Sequence, residues 1–255
     1  MGLSINDYDM IQPFDKIVVG VSGGLDSVAL LLLLHKRLKR IPIHYDLFPA
    51  FVDNWNGENI EHNERIKHLS LFIQQETGLN LHVIQIPTIR SLTSGKGKKR
   101  DTCFLCAQKR RKELIKYAFD QNCKKLALGH HLDDITETTL MNLLYKRELS
   151  SMLPRLTLFN GKMEIIRPLA YLQKFQIENF IYERNEPVPI FGEVCPSKMV
   201  RKDLRRLKVR ELLEELSHKV PNLKNNIFAA FRNPHPDYLL NQNFNPKTSS
   251  LFRRP

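Results

Sequence analysis

Apolar and polar positions come in blocks along the chain, and the block lengths predict alternating strands and helices. Lys16-Ile17-Val18-Val19-Gly20-Val21 is a β-prone apolar run, and Val28 to Leu34 is an apolar stretch without Pro or Gly that reads as a buried helix. Arg40 to Phe48 reads as a second strand, with Pro42 near its start. Glu58 to Thr77 places Ile60, Ile66, Leu69, Phe72 and Ile73 at helical spacing and ends at Gly78. Leu79 to Ile86 is a third strand closed by Pro87, and Cys103 to Gln121 is a strongly basic helix. Lys124 to Gly129 gives a short strand, Asp133 to Tyr145 a helix, and Met163 to Leu169 a fifth strand. This alternation predicts an α/β fold, a five-stranded parallel sheet with helices on both faces. Beyond Leu169 the pattern is helical only, over Leu172 to Glu186, Val200 to Ser217 and Asn222 to Phe231. The expected organisation is an α/β domain over 1–170, a C-terminal helical extension over 171–234 and a disordered tail over 235–255. Arg90 to Arg100, with two glycines among like charges, reads as a mobile loop.

Bulk properties narrow the partner. At 255 residues the chain can bury a sizeable core, and its 42% hydrophobic and 26% charged residues are ordinary for a globular protein. The net charge of +12 is not ordinary, and it predicts a polyanionic partner, nucleic acid or an anionic membrane. Met1 to Gln12 does not read as a secretion signal, and Val28 to Leu34 is far too short to span a bilayer. A cytoplasmic protein without membrane contact is expected. Its four cysteines then serve as thiols or metal ligands, not as a disulfide framework.

The chemistry centres on Ser22-Gly23-Gly24-Leu25-Asp26-Ser27, between the first strand and the first long helix. Two glycines allow close backbone approach to a phosphate, and the helix N-terminus supplies free N–H groups and a positive dipole end. Ser22 and Ser27 can donate hydroxyl hydrogen bonds to phosphate, while Asp26 is better placed to hold Mg²⁺. The string lacks the Gly-Lys-Ser/Thr of a Walker A loop and the G-x-G-x-x-G of a dinucleotide fold. A plain strand-to-helix turn made of small residues would explain two glycines but not the whole string, which looks like the PP-loop of ATP pyrophosphatases.

A second strand–turn–helix motif is Gly129-His130-His131-Leu132-Asp133-Asp134. His130, Asp134 and Glu137 fall at helical spacings, and both aspartates sit where the dipole favours acids. An acidic helix cap would account for one aspartate only. The cluster reads as a polar wall facing the nucleotide, with histidines neutralising phosphate and Asp133 or Asp134 holding Mg²⁺.

Cys103 and Cys106 form a C-x-x-C at the start of the basic helix, Cys195 stands far off in sequence, and Cys123 reads as a core thiol. A lone C-x-x-C fits half a zinc site, a redox pair or an accident. Structural zinc wants four ligands, and the chain has no second C-x-x-C. Three thiolates suit an iron–sulfur cluster with one open iron.

The two motifs together resemble the PP-loop enzymes that modify tRNA. With Asp101 to Arg111 and Ile165-Ile166-Arg167-Pro168-Leu169-Ala170-Tyr171, the likeness points to the tRNA 2-thiocytidine synthetases. That resemblance implies ATP on Ser22, Gly23, Gly24, Asp26, Ser27, Gly129, His130, His131 and Asp134, with Mg²⁺. It also implies a [4Fe–4S] cluster on Cys103, Cys106 and Cys195, which with Asp26 form the expected catalytic set. One position departs, since Gly192 stands where the family often has a further cysteine. The implied reaction is adenylation of a base carbonyl followed by sulfur transfer. The implied partners are tRNA and a sulfur donor such as a cysteine desulfurase, with a homodimer as the possible assembly.

Basic residues flank the proposed ligands, with Lys98, Lys99, Arg100, Arg110 and Arg111 near the C-x-x-C and Arg201, Arg205 and Arg206 after Cys195. If the cysteines converge, so do these charges, forming a collar for an RNA backbone around an unstacked base. Two rival functions stay open on sequence grounds. One is lysidine synthesis without a cluster, and the other a non-catalytic RNA-binding protein holding zinc and ATP.

Overall fold

A computed structural model describes residues 1–54, 59–86, 100–184, 187–190, 204–235 and Tyr238, with backbone alone at 100–104. Its strands are β1 (Lys16–Gly20), β2 (Asp46–Asp53), β3 (His82–Gln85), β4 (Lys125–Ala127), β5 (Arg155–Leu158) and β6 (Met163–Ile166). Among the described residues they form one sheet in the order β3-β2-β1-β4-β6-β5. Every neighbouring pair is parallel except β5 and β6. Among the described residues the α-helices are α1 (Gly2–Asp7), α2 (Leu25–Leu38), α3 (Ile60–Thr77), α4 (Arg100–Asp120), α5 (Leu132–Met141), α6 (Lys174–Tyr182), α7 (Leu204–Lys219) and α8 (Leu223–Ala230), and a π-helical turn, Asn142–Lys146, continues α5.

The period of two along each strand divides the core. Ile17 and Val19 of β1, Ala127 of β4 and Ile166 of β6 pack with α2, α3 and Ile177 and Ile181 of α6. Val18, Leu126 and Ile165 face the other way, onto Leu114 and Ala118 of α4. Both faces are therefore covered, as the near-continuous apolar strands require. Cys123 is buried in this second cluster, and burial pushes its thiol up to about 11. It is the core thiol the sequence predicts.

Three features differ from the sequence expectation. The sheet has a sixth strand, because Arg155–Leu158 folds back on β6 through a turn with positive φ at Phe159, Asn160 and Gly161. β2 lies at Asp46–Asp53, not Arg40 to Phe48, and contains Pro49. The Val21 N–H donates to Ala50 O, and the Ile86 N–H to Asp53 O, so odd-numbered positions of β2 face β3. Pairing with β3 begins only at Ala50↔His82, so the donor that Pro49 lacks has no ladder partner to satisfy. The N-terminus also contributes, since Ile5 and Met10 are fully buried against α2 and β1.

The expected mobile loop is outside the described residues up to Lys99, as are Cys195, Arg201 and all of 235–255 except His235 and Tyr238. No described helix is long and apolar enough to cross a membrane.

Candidate active site

The functional side chains gather at the carboxyl ends of the parallel strands, where an α/β sheet places its ligands. Past β1 the chain turns at Gly23, whose φ of 77° is the left-handed region that favours glycine. Gly24, extended at φ −80° and ψ 155°, caps α2. The Ser27 hydroxyl donates to Gly24 O at 2.8 Å and accepts from Ser22 N–H at 2.9 Å. A hydroxyl has one proton. Ser27 thus braces the loop from within, while Ser22 Oγ lies 3.1 Å from Ser27 Oγ on the outer side of that brace.

Gly129 explains how the second motif reaches the first. A Cβ there would stand 2.9 Å from Asp26 O and 3.0 Å from Ser27 N, contacts that backbone atoms cannot relieve. The β4–α5 turn therefore rests directly on the first turn of α2, and only glycine permits it.

The two histidines take opposite electrostatic roles. Arg167, 4% exposed just beyond β6, donates its Nε–H to His130 Nδ1 at 3.3 Å. A guanidinium only donates, so His130 carries its proton on Nε2 and is neutral. Burial, then the charges of Arg167, Arg111 and Arg206, lower its pKa to about 3. His131 is buried too, which opposes its charge, but Asp133, Asp134 and Asp26 more than offset this and raise its pKa. Its ring nitrogens lie 3.3 Å from Asp133 Oδ2, 3.4 Å from Asp134 Oδ2 and 3.8 Å from Asp26 Oδ1.

The acids divide similarly. Asp133 Oδ2 accepts the Lys174 N–H at 2.8 Å, and Oδ1 accepts from the Lys224 ammonium. Burial pushes the Asp133 carboxyl up, but hydrogen bonds from His131, Lys224 and the Lys174 backbone hold it far below the usual range. It ties α5 to α6 and α8, so both of its oxygens already have partners within the fold. Asp134 Oδ2 accepts the His131 N–H at 3.1 Å, and burial raises its pKa despite the nearby His131 and Arg206 charges. Asp26 is 30% exposed, and its Oδ1 accepts from Lys174 Nζ at 2.6 Å. Among the described residues no three His, Cys, Asp or Glu side chains converge as a ready cation cage.

Cys106 lies on the same edge. Asn54, the residue after β2, donates Nδ2–H to Cys106 Sγ at 3.4 Å. β2 is hydrogen-bonded to β1, so this thiol lies past the end of the strand next to the one that carries the glycine loop. Cys103 falls on α4 one turn earlier; its side chain, like that of Arg100, is outside the described set.

Of the basic residues expected to form a collar, Lys98, Lys99, Arg201 and the side chain of Arg100 lie outside the described set, and the described ones take different partners. Arg206 and Arg210 both donate to Glu137, a carboxylate with a 5% exposed side chain, at 3.0 and 2.7 Å. Arg206 is therefore a clamp that fixes α7 on α5. Arg205 lies over the Tyr145 ring, 5.2 Å from its centroid. Arg111 is exposed on α4, its charge felt at His130 and Arg167, while Arg110 is half-buried. Sequence reasoning missed Lys174, Lys224 and Asn54 as site residues, and no local signal marks them. Arg167 did carry a signal, an arginine directly after an apolar strand and before a proline.

Residues 4–187 match the family model of the PP-loop domain. The tRNA-cytidine(32) 2-sulfurtransferase of Pelobacter propionicus is 32% identical over 246 residues, 95% of this chain and 87% of that protein. The protein of the same name from Citrifermentans bemidjiense is 33% identical over 250 residues, 98% of this chain and 94% of that one. Among solved structures, the U34-tRNA thiolase NcsA from Methanococcus maripaludis, with its [4Fe-4S] cluster, superposes with a TM-score of 0.65 at 21% identity. The match covers 88% of this chain and 72% of that one, and it shows a shared fold.

Proposed function

The chain belongs to the PP-loop family, among its tRNA-cytidine(32) 2-sulfurtransferases, and on that premise we propose that it catalyses ATP-dependent 2-thiolation of a tRNA cytidine. The observation that carries the reading is the meeting of three features on one sheet edge. The Ser22–Ser27 loop and the Gly129 turn are in backbone contact, and Cys106 lies at the same end of the sheet, past the neighbouring strand β2.

In this reading the triphosphate lies on the loop and the N-terminus of α2, against Ser22 and the Nε2–H of His130. His131, whose affinity for a proton the carboxylates raise, stands with Lys174 and Lys224 against Asp26, Asp133 and Asp134, so the site does not confront a polyanion with bare carboxylates. The base carbonyl oxygen attacks the α-phosphorus, and pyrophosphate leaves toward the cationic side formed by Arg167 and Arg111, where neutral His130 offers its Nε2–H. Sulfur then replaces the activated oxygen and AMP departs.

Mg²⁺ fits the donors present. It binds through one or two carboxylates plus substrate phosphates, and Asp26 with Asp134 supply the carboxylates. When bound, it withdraws charge from the phosphates. Cys106 can supply one thiolate to a [4Fe–4S] cluster, and its sulfur accepts a side-chain N–H of the kind that tunes such clusters. Cys103 and Cys195 would complete the set. When bound, the cluster would supply sulfur at the oxidation level of sulfide.

Arg111 and Arg205 are the basic side chains proposed to contact RNA phosphate. The proposed α/β unit over 1–170 carries the chemistry, and the helices of 171–234 close its edge. A cytoplasmic setting, a cysteine desulfurase as sulfur source and a homodimer complete the proposal. Exposed Leu143, Leu144, Leu149 and Leu153 support the last.

Replacing Cys106 by Ala tests the separation of the two functions. The variant should lose the cluster's visible absorbance and all thiolation, yet bind a non-hydrolysable ATP analogue within about threefold of wild type, because Cys106 lies off the loop. A folded variant that loses both together would contradict it.

A further inference from the structure

Lys174 has no part in the thiolation scheme above, although it is the cation held tightest against the loop's own carboxylate. It opens α6, and its ammonium lies 2.6 Å from Asp26 Oδ1. The two side chains are 37% and 30% exposed, so the pair sits at the mouth of the site and not in the core. The fold has little use for it. α6 is anchored by buried Ile177 and Ile181, and its first N–H is already held by Asp133 Oδ2 at 2.8 Å. The backbone of Lys174 is thus pinned by one aspartate, while its side chain turns to another that lies on the phosphate loop.

We propose that Lys174 is a phosphate-binding residue of the nucleotide site, which releases Asp26 to the divalent cation of MgATP and moves its ammonium onto a phosphate oxygen. The inference rests on the reading of Ser22–Ser27 as the ATP loop. Mg²⁺ binds carboxylate oxygen at about 2.1 Å, and a divalent cation that close repels an ammonium held on the same carboxylate. The displaced charge needs another anion within reach. The triphosphate brings one to the same loop, and the lysine stem, with its rotatable donors, can change acceptor without moving α6. Lys174 is then a cation that Asp26 exchanges for metal, and each partner ends on a new counter-ion.

This exchange has a signature that a purely structural lysine would not give. In Lys174→Met, Mn²⁺ alone, followed by its electron paramagnetic resonance signal, should bind a few-fold tighter, because its competitor at Asp26 is gone. A non-hydrolysable ATP analogue with Mg²⁺, followed calorimetrically, should bind about tenfold weaker, as expected for one lost charge-assisted phosphate contact. Lys174→Arg should restore most of the analogue affinity. Adding Asp26→Asn to Lys174→Met should abolish the gain in Mn²⁺ binding. If both ligands weaken together, or neither changes in a variant that melts like wild type, the exchange is wrong. If wild type binds no analogue at all, the ATP-loop reading falls and takes this inference with it. If wild type binds it and Lys174→Met binds it equally well, only the inference falls.

Discussion

His130 and His131 are adjacent in sequence and opposite in charge preference, because one faces arginines and the other faces carboxylates. The consequence appears in stability against pH. The pKa of His130 falls from 6.5 to about 3 on folding, so between those values the unfolded chain binds more protons. Its contribution is present above 6.5 and is lost as pH falls toward 3. His131 runs the other way. Its raised pKa contributes stability in full below 6.5, fading as pH rises through the folded value. Asp133, held low, keeps its contribution until pH falls below its ordinary value of 3.8. Between pH 6 and 4 His130 lowers stability with acid, and Asp134, whose carboxyl burial pushes up, works in the opposite direction. Urea midpoints measured across that range should fall with acid in wild type and flatten in His130→Asn; parallel curves would contradict this assignment.

Among elements, the sheet and its flanking helices were largely legible because their signals are local. β1, α3 with its Gly78 stop, and β4 followed by an acidic helix start are all written in runs of neighbouring residues. β2 was misplaced because Pro42 looked like a strand start, whereas Pro49 is tolerated only through a register set by β1 and β3. β5 is four residues long and gains its meaning from pairing with β6; the Asn160-Gly161 turn was the available clue. The site was legible as two motifs, but not in the division of labour among its acids. Asp133 is committed by Lys224, 91 residues away, and Asp26 by Lys174, 148 residues away. Such pairings have no sequence period. Glu137 joins elements in the same fashion, holding α7 to α5 through Arg206 and Arg210. Glu137→Gln keeps the shape but loses the charge on the buried side of the clamp. It should cost about 1–3 kcal/mol of stability by chemical denaturation. An unchanged midpoint would mean that α7 is held by Val209 and Leu213 alone.

At the scale of the molecule, a net charge of +12 is a statement about association more than about fold. The structure sorts that charge. Arg206 and Lys224 are spent on internal carboxylates, whereas Arg111 is exposed on the helix that bears the C-x-x-C. Removing a phosphate contact should lower the slope of log affinity against log salt by roughly one, so Arg111→Ala should flatten the salt dependence of tRNA binding. Arg206→Ala should instead lower stability and leave that slope nearly unchanged. Equal effects on the slope would contradict the sorting.

The central claim, that a glycine-loop ATP site and a cysteine-held sulfur centre serve one cytidine, has a direct test. The full chain, reconstituted anaerobically with iron and sulfide, is incubated with unmodified tRNA, ATP, Mg²⁺ and sulfide as sulfur source, and the nucleosides are resolved by mass spectrometry. The expected result is 2-thiocytidine formed in step with AMP and pyrophosphate. Release of pyrophosphate with lysidine, or with no sulfur entering the tRNA, would contradict it.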